Sequence, residues 1–348
     1  MWTTMTRRKC PLLLLFVLIC SLTGCSPTTS DEYPVGFSVA QSGDTTVVTV
    51  MSPWQAGTTM ARYAITTPYQ RIACNSATHV GFLRELGLMD RLVGVCVPDR
   101  IYNLTDAQRA SITDLGDDMK PNLEAILLSR PDAIIVSTYG EGDATAAQIA
   151  SLGIPVLYCN EWTETSPLAR AEWLRFFGAC FGCMERADSA YQSIAKAYNA
   201  LTLSRTTQGV SVMSGQSFRG TWYVPTGNTF MGRLFLDAGA SYRYADNPAT
   251  SSVPLTFEQA LQDFSDADVW VGCNASSLAE LAGIDDKHTW FRAYKNRRVY
   301  NFARRTLPSG ANDFWETGVV HPELILRDLQ AILADEDPDT LFFCRKLQ

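Results

Sequence analysis

Apolar residues follow two periods along this chain, and the two periods alternate. Short, nearly continuous apolar runs are typical of buried strands, whereas apolar residues recurring every three or four positions are typical of helices. The predicted strands lie at residues 71–74, 92–96, 133–136, 154–158, 210–213, 269–271 and 298–302. The predicted helices run from His79 to Leu86, around Glu124, from Ala144 to Leu152, from Phe230 to Asp237, around Glu258 and from Pro322 to Ile332. This alternation predicts an α/β fold with parallel sheets.

The longest helical pattern runs from Ser166 to about Arg205. Ser166 can cap free backbone N–H groups, and Pro167 at the first helical position loses no hydrogen bond. Gly178 and Gly182 predict a bend or break near the middle of the run.

The segments on either side of this run repeat each other. Residues 121–136 and 255–271 both read as a helix with an acidic first turn that leads into a buried strand. Glu124 pairs with Glu258 and Asp132 with Asp266, each at an interval of 258 − 124 = 134 residues. The pattern therefore predicts two similar α/β lobes, although any two helix–strand units of α/β proteins share this appearance.

These elements predict a domain order. A tether and a β-hairpin around Ser42-Gly43-Asp44 occupy residues 25–68, followed by an amino-terminal lobe at 69–165. One long helix at 166–205 joins it to a carboxy-terminal lobe at 206–348. Ligands of such folds bind beyond the carboxyl ends of the strands, so two facing lobes predict one cleft between them.

The first residues predict export. Arg7, Arg8 and Lys9 precede a short apolar run at 12–20, which is too short to span a bilayer. The run ends in Leu22-Thr23-Gly24-Cys25, which resembles a bacterial lipobox. We therefore expect a signal peptide at 1–24 and a periplasmic protein that is lipid-anchored through Cys25. An uncleaved anchor and an ordinary secretory peptide are the alternatives.

Charge and cysteine usage narrow the class of protein. The net charge is −7, and without the three basic residues of the leader it becomes 26 − 36 = −10, which argues against nucleic acid as a partner. Cys74, Cys96, Cys159 and Cys273 lie in apolar runs, where a free thiol packs as a small hydrophobe. Cys180 and Cys183 form a Cys-x-x-Cys inside the helical run; we favour packing over redox or metal chemistry, and leave disulfide pairing open.

The chain carries no motif for catalysis. It lacks a phosphate-binding loop, a dinucleotide fingerprint, a nucleophile elbow and a His-Glu-x-x-His zinc motif, and it has only three histidines. The loops predicted to border the cleft are instead rich in aromatic and arginine side chains, which suit a large, partly planar and partly anionic ligand. The predicted ligand-binding residues are His79, Arg100, Tyr102, Tyr139, Trp162, Arg219, Trp222, Tyr223, Arg304, Arg305, Asp313 and Trp315.

An ordered set of motifs resembles class III periplasmic binding proteins, the ferric-siderophore and vitamin B12 binding components of ABC importers. The motifs are the segments 69–79, 86–95, 114–116, 122–132 and 152–156. Residues 166–173 and 312–316 look like a Bacteroidetes-type lipoprotein branch. The resemblance covers roughly residues 69–335 and implies two Rossmann-like lobes joined by one helix, with no enzymatic activity and no resident cofactor.

The resemblance also implies partners. It implies a monomer that captures a small metal chelate and delivers it to an inner-membrane permease with its ATPase. Members of the family dock through one acidic side chain on each lobe, which points here to Glu141 or Asp143 and to Glu280, with Glu124 and Glu258 as the alternative pair.

The ligand stays open at this stage. A ferric siderophore comes first because arginines border the predicted cleft, followed by cobalamin and haem, whose iron Tyr or His can bind. Two other classes remain: an exported enzyme that uses His79, Asp313 and Glu316, and a binder of a free metal ion, for which three histidines are few.

Overall fold

The computed structural model describes residues 36–205, 207 and 209–348, so the predicted signal peptide and Cys25 lie outside the described residues. The strands in this part are β1 Phe37–Ser42, β2 Thr45–Met51, β3 Thr59–Ile65, β4 Ile72–Cys74, β5 Leu92–Val95, β6 Thr113–Asp114, β7 Ala133–Val136, β8 Val156–Tyr158, β9 Ser211–Ser214, β10 Ser217–Phe218, β11 Thr221–Val224, β12 Ser241–Tyr242, β13 Val253–Leu255, β14 Val269–Val271, β15 Val299–Asn301 and β16 Arg345–Lys346. The helices are α1 Ala77–Glu85, α2 Asp106–Ser111, α3 Leu123–Ser129, α4 Ala144–Ser151, α5 Pro167–Phe181, α6 Met184–Ser204, α7 Phe230–Asp237, α8 Phe257–Phe264, α9 Leu278–Ile284, α10 Arg292–Lys295, α11 Thr317–Val320 and α12 Pro322–Leu333.

An antiparallel sheet precedes the first lobe. The predicted hairpin is confirmed as β1 and β2, and the unpredicted β3 pairs with the other edge of β2. Gly43 occupies the turn with φ +58°, a left-handed conformation that glycine adopts without steric cost. Phe37 packs its ring 4.9 Å from Trp173 of α5, which fixes the sheet on that helix.

Each lobe contains one largely parallel sheet, as predicted. The amino-terminal sheet has the order β6-β5-β4-β7-β8 and is parallel throughout. The carboxy-terminal sheet has the order β12-β9-β14-β15-β16, and only β16 runs antiparallel. A second small sheet, β10-β11-β13, covers this lobe and was not predicted, because its strands are only two to four residues long.

Two helices, rather than one, occupy the stretch predicted as the connection. The chain reverses at Gly182, which has φ +73° and ends α5. The helices then run antiparallel: Arg175 of α5 lies 2.7 Å from Asp188 and over the ring of Tyr191, both in α6. The break that the glycines predicted is therefore present, and it folds the run into a hairpin.

Helix α5 contacts both lobes, whereas α6 packs mainly on α5 and on α12 of the carboxy-terminal lobe. On one side α5 packs on β1, β2 and α1, and on the other it packs on α7, α11 and α12. Tyr198 of α6 donates to Asp237 of α7 at 2.7 Å, and Gln330 of α12 donates to the Leu201 carbonyl at 2.9 Å. Every residue of α5 is buried, including the charged Arg170, Glu172 and Arg175.

The internal repeat is present, but the interval between matching residues is not constant along it. Asn122 caps α3 and Thr256 caps α8, at the predicted interval of 256 − 122 = 134. Asp132 accepts from the backbone N–H of Gln70 and Arg71 before β4. Its counterpart is Asp268, which accepts from Ser211 at the start of β9, so the interval here is 268 − 132 = 136. The pairing of Asp132 with Asp266 was therefore wrong by two residues.

No described helix is both long and apolar enough to cross a membrane.

Candidate functional site

The carboxyl edges of the two lobes meet along a junction of polar contacts. Tyr102 follows β5 of the first lobe, and Arg305 follows β15 of the second. The Arg305 guanidinium carbon lies 5.2 Å from the centre of the Tyr102 ring. The backbone N–H of Tyr102 donates to the Glu316 carboxylate, so the loops predicted to face one another do so.

Asp313 organises this junction from a buried position. It accepts from Arg305 at 2.6 Å, from Thr317 at 2.6 Å and from Asn103 of the opposite lobe at 2.5 Å. Its side chain is only 1% exposed. The prediction of Asp313 as a ligand contact is therefore wrong for this conformation: its carboxylate holds Arg305 in place beside Tyr102.

Three aromatic rings form a ladder at the edge of the first lobe. Tyr139 follows β7 and Trp162 follows β8, and because β7 and β8 are neighbours their rings stack at 5.4 Å. Trp54, in the β2–β3 connection, lies 5.9 Å beyond Trp162. Tyr139 is 55% exposed, and partial burial raises the pKa of its hydroxyl. The sequence predicted two members of this ladder, Tyr139 and Trp162, and missed the third. Trp54 lies in a polar loop, and only its residue type could have indicated it.

Two cavities flank the ladder. One, of about 570 Å³, is lined by Trp54, Trp162 and Trp173 together with Thr250 and Ser251 of the second lobe. The other, of about 180 Å³, is lined by Tyr139 with Asn75, Asp118 and Ser137 at the carboxyl ends of the first sheet. Both cavities therefore combine an aromatic wall with polar side chains.

The four predicted arginines divide into two pairs. Arg100 and Arg219 are exposed, and neither guanidinium has an ionic partner among the described residues. Arg219 and Gly220 form the two-residue turn between β10 and β11, with φ of +52° and +84°. Arg305 is paired with Asp313, and Arg304 donates to the carbonyls of Pro338 and Asp339. Arg304 is thus tied to the carboxy-terminal segment, which corrects its prediction as a ligand contact.

Trp222, a further predicted contact, is fully buried. Trp222 donates to the Ser214 carbonyl and packs 5.4 Å from both Trp270 and Phe291. Because successive strand residues face opposite sides, its neighbour Tyr223 points outward and is 50% exposed. Trp222 is therefore a core residue, whereas Tyr223 remains a candidate. Trp315, 52% exposed beside Phe314, also remains a candidate.

His79 lies beneath the cleft instead of on its surface. It is 0% exposed, with Nε2 3.3 Å from the Cys159 carbonyl and 3.2 Å from Ser137 Oγ. Burial lowers the pKa of its imidazole. Its prediction as a direct ligand contact is wrong for this conformation.

The acidic candidates for docking differ in their surroundings. Glu141 is exposed in the loop before α4, and Glu280 is exposed in the first turn of α9. Hydrogen bonds from Ser276 lower the pKa of Glu280. Asp143 caps α4 by accepting from the backbone N–H of Ala146 at 2.9 Å, which gives it a structural role.

The seven described cysteines are free thiols. Cys74, Cys96, Cys159 and Cys273 are buried, as their apolar runs predicted. Burial raises the pKa of the Cys96 thiol to about 12. Cys180 lies in the last turn of α5 and Cys183 is the residue before α6, so the two cysteines lie on either side of the reversal at Gly182.

A family model and several curated sequences match this chain. A family model described as periplasmic binding protein matches residues 72–305. An uncharacterized lipoprotein of Methanocaldococcus jannaschii is 26% identical over 230 residues, which are 65% of this chain and 53% of that protein. The chain thus spans about half the length of the curated relatives it matches.

Solved structures share the fold at low identity. The vitamin B12 binding protein BtuF of Vibrio cholerae has a TM-score of 0.55 at 15% identity, covering 77% of this chain and 98% of that one. A periplasmic heme binding protein of Pseudomonas aeruginosa has a TM-score of 0.59 at 18% identity, covering 80% and 98%. The siderophore binding protein BauB has a TM-score of 0.57 at 16% identity, covering 79% and 96%.

Proposed function

Because this chain belongs to the periplasmic binding protein family, we propose that it is the ligand-capturing lipoprotein of an ABC importer. In this proposal it is anchored to a membrane through Cys25, acts as a monomer without a resident cofactor, and carries a ferric siderophore or similar iron chelate. The ligand binds between the lobes and is handed to a permease with its ATPase. The family consists of binding proteins, and we propose no catalytic turnover.

The observation that supports an anionic chelate is an exposed arginine without an ionic partner among the described residues, found after one strand in each lobe. Arg100 follows β5 and Arg219 follows β10, so one comes from each lobe. Neither has an acidic partner among the described side chains, and both are exposed. A guanidinium donates forked hydrogen bonds to carboxylate or catecholate oxygens.

Cobalamin or haem is the second candidate, and the aromatic ladder is the observation that favours it. Tyr139, Trp162 and Trp54 present flat apolar faces of the size that a macrocycle covers. If haem is the ligand, Tyr102, Tyr139 or Tyr223 would have to supply the iron ligand, because His79 is buried.

The enzyme hypothesis has less support. Asp313 and Glu316 are buried and accept hydrogen bonds from Arg305, Arg84 and the Tyr102 backbone. Groups held in this way support the junction between the lobes.

Titration of the purified full chain tests the capture role. The probes are a ferric catecholate siderophore, a ferric hydroxamate siderophore, cobalamin and haem, followed by tryptophan fluorescence with a free-tryptophan control. We expect saturable quenching by a ferric siderophore at micromolar concentration or below. Saturation by cobalamin or haem alone would change the ligand class, and no saturation by any probe would overturn the capture role.

Arginine variants locate the anion contact. We expect Arg100→Gln to weaken siderophore binding about 10- to 100-fold, the cost of a hydrogen bond to a charged group of about 1.5–3 kcal/mol. Arg297→Gln is the matched control. Arg297 is also exposed, but it precedes β15 and so lies at the amino end of a strand, whereas Arg100 lies beyond the carboxyl end of β5. Equal affinities of the two variants would contradict an anion contact at Arg100.

Docking on the permease uses exposed acidic side chains in this proposal, one from each lobe. Glu141 and Glu280 are the proposed contacts, and the exposed pair Glu124 and Glu258 is the alternative. We expect the double variant Glu141→Lys with Glu280→Lys to abolish transport in cells. Glu280→Lys alone should impair transport while leaving ligand affinity unchanged, because Glu280, unlike Glu141, does not line the cavity beside Tyr139. Normal transport by this double variant would move the docking site to the alternative pair.

A further inference from the structure

Three potential metal ligands meet inside the first lobe. The ring of His79, the thiol of Cys159 and the carboxylate of Glu161 each offer one ligand atom, and these atoms lie within 4.8 Å of one another. His79 is in the first turn of α1, and the other two follow β8. All three residues are buried, so the cluster differs from the exposed acidic groups that are common on protein surfaces.

The hydrogen bonds of His79 leave one ring nitrogen without a partner. Nε2 lies 3.3 Å from the Cys159 carbonyl, and Nδ1 has no hydrogen-bond partner although it is fully buried. If Nε2 carries the proton and donates to that carbonyl, Nδ1 presents a bare lone pair. Metal-binding histidines have this arrangement, in which the second nitrogen donates to a carbonyl or carboxylate and orients the ring.

The charges around the cluster limit which cation fits. Glu161 is paired with the buried Arg170 at 3.2 Å, so the two charges balance. A bound cation would displace the thiol proton, leaving Arg170, Glu161, the thiolate and a monovalent ion at a net charge of zero. A divalent ion would leave one uncompensated buried charge, which is costly.

We propose that the His79 imidazole, Cys159 Sγ and the Glu161 carboxylate form a buried site for one thiophilic metal cation, Cu⁺ in preference to Zn²⁺. Thiolate and imidazole ligands together favour these two ions among the metals common in proteins. On binding, the Cys159 S–H bond breaks, its proton leaves to solvent and a sulfur–metal bond forms without any change of oxidation state. The site is separate from ligand capture between the lobes and does not depend on the identity of that ligand.

Metal titration of the full chain tests this site. Cu⁺ is added without oxygen against a competing chelator, and Zn²⁺ is added against a chromogenic indicator. We expect one equivalent of Cu⁺, bound more tightly than Zn²⁺, with a thiolate-to-metal absorption band in the ultraviolet. Cys159→Ser and His79→Gln should each weaken Cu⁺ binding at least 100-fold. Cys273→Ser, which removes another buried thiol, should leave it unchanged.

A third variant keeps the test decisive if the first two fold poorly. Glu161→Gln preserves the shape of the side chain and should weaken Cu⁺ binding about tenfold, with circular dichroism to establish folding. Absence of stoichiometric metal, or equal affinity in folded Cys159→Ser and Cys273→Ser, would overturn the site. Tighter binding of Zn²⁺ than of Cu⁺ would overturn the charge argument. Siderophore titration of the same samples shows whether ligand capture survives independently.

Discussion

Arg84 of α1 and Glu316 form an ion pair across the junction of the two lobes, with Nη2 3.0 Å from Oε2. The Glu316 side chain is fully buried, and it also accepts from the backbone N–H groups of Tyr102 and Asn103. One carboxylate therefore joins a helix and a loop of the first lobe to the second.

Removing this carboxylate should destabilise the protein strongly. We expect Glu316→Gln to lower the free energy of unfolding by about 3 kcal/mol, because it leaves Arg84 without its partner. Urea denaturation followed by circular dichroism measures the change. Asp99→Asn is the control: Asp99 is 83% exposed in its pair with Arg109, and such pairs contribute at most about 1 kcal/mol. Equal effects of the two variants would show that Glu316 does not hold the junction.

Close backbone contact at Gly81 predicts a second sensitive position. A Cβ atom at Gly81 would lie 2.3 Å from the Glu316 carbonyl oxygen, so α1 and this turn would have to separate. We expect Gly81→Ala to destabilise the fold by about 1–3 kcal/mol. Gly283→Ala in α9 meets nothing within 4 Å and should stabilise by up to about 1 kcal/mol. Thermal melts of both variants check the contrast; a neutral Gly81→Ala would contradict the tight junction.

His321 predicts a pH dependence of stability. Burial opposes its charge, but hydrogen bonds to Glu323 and to Glu85 outweigh burial and raise its pKa to about 9. Since the ordinary value is about 6.5, its contribution is complete below about pH 6.5 and is lost as pH rises toward about 9. The pKa of Glu85 is lowered by His321, so its contribution is lost as pH falls below the ordinary carboxyl range.

Urea midpoints measured from pH 4 to pH 10 test this dependence. We expect the wild-type protein to lose at most about 3 kcal/mol between pH 6.5 and 9 through His321. His321→Gln should flatten that part of the profile. An unchanged slope in the variant would assign the pH dependence to other groups.

Trp222 and Tyr223 are adjacent in β11 but should respond differently to truncation. Trp222→Ala removes a ring from the core and should cost about 3–5 kcal/mol. Tyr223→Ala affects a half-exposed side chain and should change stability by less than about 1 kcal/mol. Denaturant unfolding separates the two; similar losses would show that the two side chains are equally packed.

The aromatic ladder should contribute to ligand affinity if the proposed function is correct. We expect Trp162→Ala to weaken binding of the identified ligand about tenfold, because a stacked ring pair contributes about 0.5–1.5 kcal/mol beyond its buried area. Trp162→Phe, which retains a flat ring, should bind within about threefold of the wild type. Fluorescence titration measures both, and an unaffected Trp162→Ala would remove the ladder from the site.

Local sequence signals predicted most of the parallel sheets and their helices. Helix α7 has the predicted limits, Phe230 and Asp237. Short edge strands such as β6 and β12 have two residues each and leave no periodic pattern to detect. Their existence depends on pairing with distant strands.

The sequence by itself determined which segments form strands and helices, that the helical run breaks at its glycines, and which loops carry aromatic and arginine side chains. Those properties depend on neighbouring residues, on periodicity and on backbone freedom. Only the tertiary structure decided that Arg304 binds backbone carbonyls and that Asp313 pairs with Arg305. It also decided that Trp222 is buried beside a half-exposed Tyr223, and that His79 lies close to Cys159 and Glu161. The physical reason is that burial and partnership are set by residues far apart in the chain, such as Asn103 and Asp313, which no local pattern links.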